Sequence, residues 1–137
     1  MTMSWREWPV IGAVALGGAV GASARYGASL LWPAAPGAFP WATLWTNAVG
    51  CAVIGVFLVA LDEAWRPHRL VRPFFGTGVL GGFTTFSTYA VDVHRLVERG
   101  EPVTALSYLL GTLAVALAAV ALAAGATRRA LEWRTGR

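Results

Sequence analysis

Four apolar stretches separated by short polar or Pro- and Gly-rich segments set the pattern of this chain, at residues 9–31, 41–61, 70–91 and 103–126. Each is close to the roughly 20 residues a helix needs to cross the hydrocarbon of a bilayer. The pattern predicts an all-α membrane protein of four transmembrane helices, with residues 1–137 forming a single transmembrane domain. The connection from Trp32 to Pro40 is uncharged and rich in Pro, Ala and Gly, which suits a tight turn between antiparallel helices. Asp62 to Arg72 reads as a polar loop. The charges after the third stretch, among them Asp92, His94, Arg95, Glu98 and Arg99, read as a solvated helix end.

The third stretch departs from the others. From Gly76 to Tyr89 it reads G-T-G-V-L-G-G-F-T-T-F-S-T-Y, with four glycines and five Ser or Thr residues in fourteen positions. Hydrocarbon tolerates such a run only where the backbone is buried in protein or lines a polar cavity, because unpaired N–H and C=O groups cost several kcal/mol there. The third helix is therefore expected to be broken at mid-membrane. Gly81 and Gly82 leave helical geometry at little cost, and Thr84 and Thr85 can bond the carbonyls that are freed. Breaks of this kind are where transporters and channels bind ions.

Composition narrows the class. With 56% hydrophobic and 13% charged residues, the chain is not an ordinary soluble domain. Arg6 precedes the first stretch as in a signal peptide, but its length, the Arg25-Tyr26 pair inside it and three further spans mark a retained helix. The net charge is +4 and every basic residue is Arg. These charges lie in loops and tails, where headgroups and topology account for them, so no nucleic-acid partner is expected. Trp5, Trp8, Trp32, Trp41, Trp45, Trp65 and Trp133 fall where an aromatic belt would anchor the helices. Cys51 is the single cysteine and reads as a small core residue.

Candidate chemistry is sparse. Gly17-x-x-x-Gly21 puts two small residues on one helix face, where another helix can approach closely. Arg25 either snorkels to headgroups or faces a cavity. Asn47 shares a face with Gly50, Cys51 and Ile54, as interhelical glue or as a ligand. Tyr108, Gly111 and Thr112 are the notable features of an Ala-rich fourth helix. Ser87 has no His or Lys partner at readable spacing, and no Asp or Glu falls inside a predicted span. The Gly-rich run lacks the G-K-[ST] ending of a phosphate loop. No enzyme is expected.

Three segments carry a resemblance that covers nearly the whole chain: G-G-A-V-G-A-S-A-R-Y (Gly17 to Tyr26), T-L-W-T-N-A-V-G-C (Thr43 to Cys51) and G-G-F-T-T-F-S-T-Y (Gly81 to Tyr89). In this order the chain resembles the Fluc, or CrcB, family of bacterial fluoride channels. The resemblance implies an antiparallel dimer in the bacterial inner membrane, with two pores at the interface that passively export cytoplasmic fluoride and relieve its toxicity. It implies a structural sodium ion, not transported, held between the two helix-3 breaks by the backbone carbonyls of Gly81 and Thr84. The fluoride pathway would use Asn47, Phe86, Ser87, Thr88, Tyr89, Tyr108 and Thr112, with Phe86 and Tyr89 at the positions of the family's paired phenylalanines. Arg25 would raise the anion concentration near a pore entrance.

Two departures from the family pattern stand out. Tyr89 replaces Phe, so its hydroxyl adds a donor or must be parked elsewhere; Ala114 and Ala118 stand where hydroxyls are common. Charge also bears on pairing. With four spans, Arg6, Arg66, Arg69, Arg72, Arg128, Arg129, Arg134 and Arg137 share one side, and the other has Arg95 and Arg99, with Arg25 as a possible third. The positive-inside rule then places both termini in the cytoplasm. The dimer is expected to form with itself or with an oppositely oriented paralogue, and so strong a bias predicts one orientation and favours the paralogue. Two other classes compete: a proton-coupled drug exporter, which needs a membrane carboxylate, and a non-conducting or half-conducting partner subunit of a heteromeric channel.

Overall fold

The computed structural model describes residues 7–33, 35 and 37–136, and every regular element among them is helical. Trp5, Arg6 and Arg137, which enter the belt and charge expectations, lie outside the described residues. Helix α1 (Trp8–Leu31) carries Pro9 in its first turn, where a missing N–H costs nothing. Helix α2 (Trp41–Glu63) follows Pro40. Helix α3 is π-helical over Arg72–Leu80 and ends in one α-helical turn, Gly81–Phe83. Helix α4 (Ser87–Glu98) and helix α5 (Pro102–Thr135) complete the chain.

The third apolar stretch is thus two helices. The backbone turns extended at Thr84 (φ −73°, ψ 155°) and helix resumes at Ser87. Helix α4 continues past residue 91 to Glu98, so Asp92 sits within a helix and not in the solvated end read from the charge pattern. Helix α5 likewise runs on past residue 126, because Ala, Leu, Arg and Glu sustain it until Gly136 caps it at φ 66°.

Among the described residues, two helices have the length and hydropathy to cross a membrane, α2 and α5. Helix α1 has 24 residues, but Ser, Arg and five glycines dilute its apolar character. Helices α3 and α4 are each too short alone. Of the most apolar window of α5 only 6% is buried by the chain itself, against 44% in α2, so the outer face of α5 must meet lipid or protein.

Two helix pairs form the body. Helix α1 lies along α3 with glycine against glycine: a Cβ on Gly78 would stand 2.8 Å from Gly17 Cα, and one on Gly82 2.5 Å from Gly18 O. Gly21 is pressed against the Val79 carbonyl in the same seam, so the small-residue face of α1 serves close packing. Helix α2 lies along α5, where a Cβ on Gly55 would stand 2.6 Å from Val120 O. Helix α4 joins the pairs by crossing onto α5, and Leu44, Leu96, Ala105 and Tyr108 form a buried cluster there with Phe39, Tyr89 and Val93 against it.

Candidate functional site

The site grows from the residues that leave helical geometry. Leu80 O accepts both the Thr84 N–H and the Thr84 hydroxyl, each at 3.0 Å. The Thr85 N–H donates to Asn47 Oδ1 at 2.7 Å, and Asn47 Nδ2 donates back to Thr85 O at 3.0 Å. The Thr85 hydroxyl accepts the Thr88 N–H at 3.1 Å, satisfying an orphan donor at the start of α4. Arg25 Nε donates to Gly82 O at 3.2 Å. Gly50 makes the approach possible, because a side chain there would collide with Thr84. Among the described residues, no hydrogen bond reaches the carbonyls of Gly81 or Thr84.

Asn47 is therefore glue on the interruption. The residue is 9% exposed, and its side chain clasps both backbone groups of Thr85. An amide offers two N–H groups, so one remains for a ligand. Arg25 is drawn to the interruption by the Gly82 carbonyl, which gives an arginine inside an apolar helix a partner in the protein.

A groove of about 330 Å³ opens beside the interruption, lined by Asn47, Cys51, Thr84, Thr85, Phe86, Tyr89, Thr112, Leu113 and Ala116. Phe86 is 79% exposed on its wall, and its ring lies 5.7 Å from that of Tyr89 with the planes inclined at 54°. Tyr89 donates its hydroxyl to Leu109 O at 2.6 Å. The extra oxygen is thus parked on the backbone of α5. Thr112 is 5% exposed and its buried hydroxyl has no hydrogen-bond partner. Such a group costs about 1–3 kcal/mol unless something bonds it.

The remaining candidates lie elsewhere. A second cavity of about 270 Å³ is lined in part by Thr43, Thr88, Asp92, Arg95 and Arg99. Tyr108 is fully buried, its ring 5.4 Å from Tyr89 and its hydroxyl 3.4 Å from Asp92 Oδ2. Thr43 donates to the same carboxylate oxygen at 2.8 Å. Ser87 is exposed, 3.3 Å from the Thr85 hydroxyl, and lines neither cavity. The structure thus brings Asn47, Phe86, Tyr89 and Thr112 together with Thr84, sets Thr88 in the second cavity, and leaves Ser87 and Tyr108 outside both.

Two residues escaped the sequence reading. Asp92 lies one turn beyond Tyr89 on α4, and that spacing was its available signal. Cys51, read as core, instead lines the groove one turn beyond Asn47. No group of three His, Cys, Asp or Glu side chains that could hold a metal is found among the described residues. The carbonyls of Gly81 and Thr84 are among the backbone oxygens at the interruption that accept no hydrogen bond among the described residues.

Comparison with known proteins adds two findings. Residues 12–125 match the family model described as CrcB-like protein, Camphor Resistance (CrcB). The chain is 67% identical over 105 residues to a Streptomyces avermitilis protein named fluoride-specific ion channel FluC 2, covering 77% of this chain and 66% of that one. It is 63% identical over 131 residues to fluoride-specific ion channel FluC 1 of Streptomyces coelicolor, covering 95% and 85%. A second S. avermitilis protein, named FluC 3, is 44% identical over 125 residues, covering 91% and 61%. The chain spans just under two thirds of both S. avermitilis proteins.

Proposed function

The chain belongs to the CrcB-like family, and from that membership we propose that it is a fluoride-specific ion channel whose pathway runs through the groove beside the Thr84–Phe86 interruption. The observation that carries this reading is the buried, unpartnered hydroxyl of Thr112 on the groove wall. With it stand the spare N–H of Asn47 and the rings of Phe86 and Tyr89, whose edges are positive. Asp92 lines the other cavity, and no Asp or Glu is among the described residues that line the groove. A wall of donors and ring edges suits a small, strongly hydrated anion, which must exchange its water for donors yet leave again. Arg95 and Arg99 line the second cavity, where their charge concentrates anions as Arg25 does beside the interruption. Conduction is passive, and an inside-negative membrane potential drives fluoride outward.

Several features extend the reading. The chain crosses the inner membrane four times, α1 alongside the α3–α4 pair, with the interruption at mid-membrane. It forms an antiparallel dimer, which gives the exposed Phe86 and the outer face of α5 a protein neighbour. The unbonded carbonyls of Gly81 and Thr84 would hold a sodium ion at the dimer centre. That ion supplies a fixed positive charge; the chain's part is to present oxygens that no helix bond occupies. Removal of Na⁺ should lower both thermal stability and fluoride flux, in a way that Na⁺ reverses and K⁺ does not.

Expression of wild-type and Phe86→Ile chains in fluoride-sensitive bacteria tests the function. Wild type should restore growth in fluoride and Phe86→Ile should not. Equal rescue by both would reject a pathway past Phe86.

A heteromeric reading is favoured by charge. The Arg128–Glu63 bond at 3.1 Å joins the C-terminal ends of α2 and α5, which gathers Arg66, Arg69, Arg72, Arg128, Arg129 and Arg134 at one end of the molecule. That end would face the cytoplasm together with both termini, and an oppositely inserted relative would complete the pair. The numbered names FluC 2 and FluC 3 within S. avermitilis are compatible with such pairing.

A further inference from the structure

We infer that Cys51 belongs to the fluoride pathway, its thiol serving as the donor one helical turn along α2 from Asn47; this rests on reading the groove as that pathway. Most donors on the groove are already committed. Thr84 Oγ1 donates to Leu80 O, Thr85 Oγ1 to Thr88 Oγ1, Tyr89 OH to Leu109 O, and one Asn47 N–H to Thr85 O. Three remain: the second N–H of Asn47, the Thr112 hydroxyl and the Cys51 thiol, which makes no hydrogen bond among the described residues. Thr112 points independently to a visiting ligand, because this 5% exposed residue lines the same groove and its buried hydroxyl has no partner.

Asn47 and Cys51 are four apart on α2 and so lie one above the other on a single face. The α5 side of the groove continues with Leu113 and Ala116, neither of which has a side-chain donor. An anion approaching Asn47 and Thr112 from the C-terminal end of α2 therefore has the thiol as the side-chain donor before them. A thiol donates weakly. That is an asset where binding must not become a trap.

Fluoride release from liposomes tests the assignment, using the assembly that conducts, self-paired or heteromeric, with wild type, Cys51→Ser and Cys51→Ala. Cys51→Ala should lower flux roughly 3- to 10-fold, the loss of one weak donor to an anion, and Cys51→Ser should restore it. Mercuric chloride should block wild type reversibly, with recovery on excess free thiol, and leave Cys51→Ser conducting. Mercury acts on the native fold, so its result stands even if Cys51→Ala misfolds. Cys51→Ala that elutes and conducts as wild type rejects the assignment, whatever mercury does. Equal loss in the Ser and Ala variants also rejects it, since a donor was restored without effect. Wild type that releases no fluoride in either assembly rejects the pathway reading itself.

Discussion

At the scale of single residues, the site depends on side chains that serve the backbone before they serve a ligand. Asn47 is the clearest case, since its amide satisfies both the N–H and the C=O of Thr85. Asn47→Ala should cost about 1–3 kcal/mol of stability and lower fluoride release at least roughly tenfold, because it removes a clasp and a donor together. Thermal unfolding in detergent and liposome flux check the two parts separately. Tyr89 behaves in the opposite way, with its hydroxyl spent on Leu109 O while the ring stays on the groove. Tyr89→Phe should therefore lose about 0.5–1.5 kcal/mol of stability and keep flux within about twofold. A much larger loss of flux would mean that the hydroxyl works in the pathway.

At the scale of elements, the α1–α3 seam fixes where the interruption sits. Gly21 is pressed on the Val79 carbonyl, and Gly78 and Gly82 meet Gly17 and Gly18. Gly21→Ala should destabilise by about 1–3 kcal/mol through overpacking against backbone that cannot yield. Gly12→Ala, with nothing within 4 Å of its Cβ, should be neutral or slightly stabilising. Equal thermal midpoints for the two variants would contradict this account of the seam. Much of the arrangement was legible in the chain. The glycine spacing of α1 announced a close contact, whereas Gly81 and Gly82, expected to leave helical geometry, stay helical and the backbone turns extended at Thr84. Sequence could not show that the backbone turns extended at Thr84, or that the 70–91 stretch divides into a π-helical segment and an α-helix reaching Glu98. Those outcomes depend on Asn47, Arg25 and Gly50, which approach from elsewhere in the chain. Asp92 was misplaced for a related reason: its partners Thr43 and Tyr108 are distant in sequence, and a local charge pattern carries no trace of them. Cys51 was hidden by its bland composition, although its spacing from Asn47 was visible.

At the scale of the whole molecule, charge bears on the proposed pairing with a second subunit. The basic end formed by α2, α3 and α5 should orient the chain one way, so a topology reporter on the chain expressed alone should report predominantly cytoplasmic termini. Comparable amounts of both orientations would remove the case for an oppositely inserted relative and leave self-pairing. The central claim, a fluoride-selective pathway through the groove at the Thr84–Phe86 interruption, is tested most directly by anion release from liposomes with Na⁺ present. The protein should discharge fluoride rapidly and retain chloride, alone or with an oppositely inserted relative. Well-folded protein that releases no fluoride in either form, or releases chloride as readily, would contradict it.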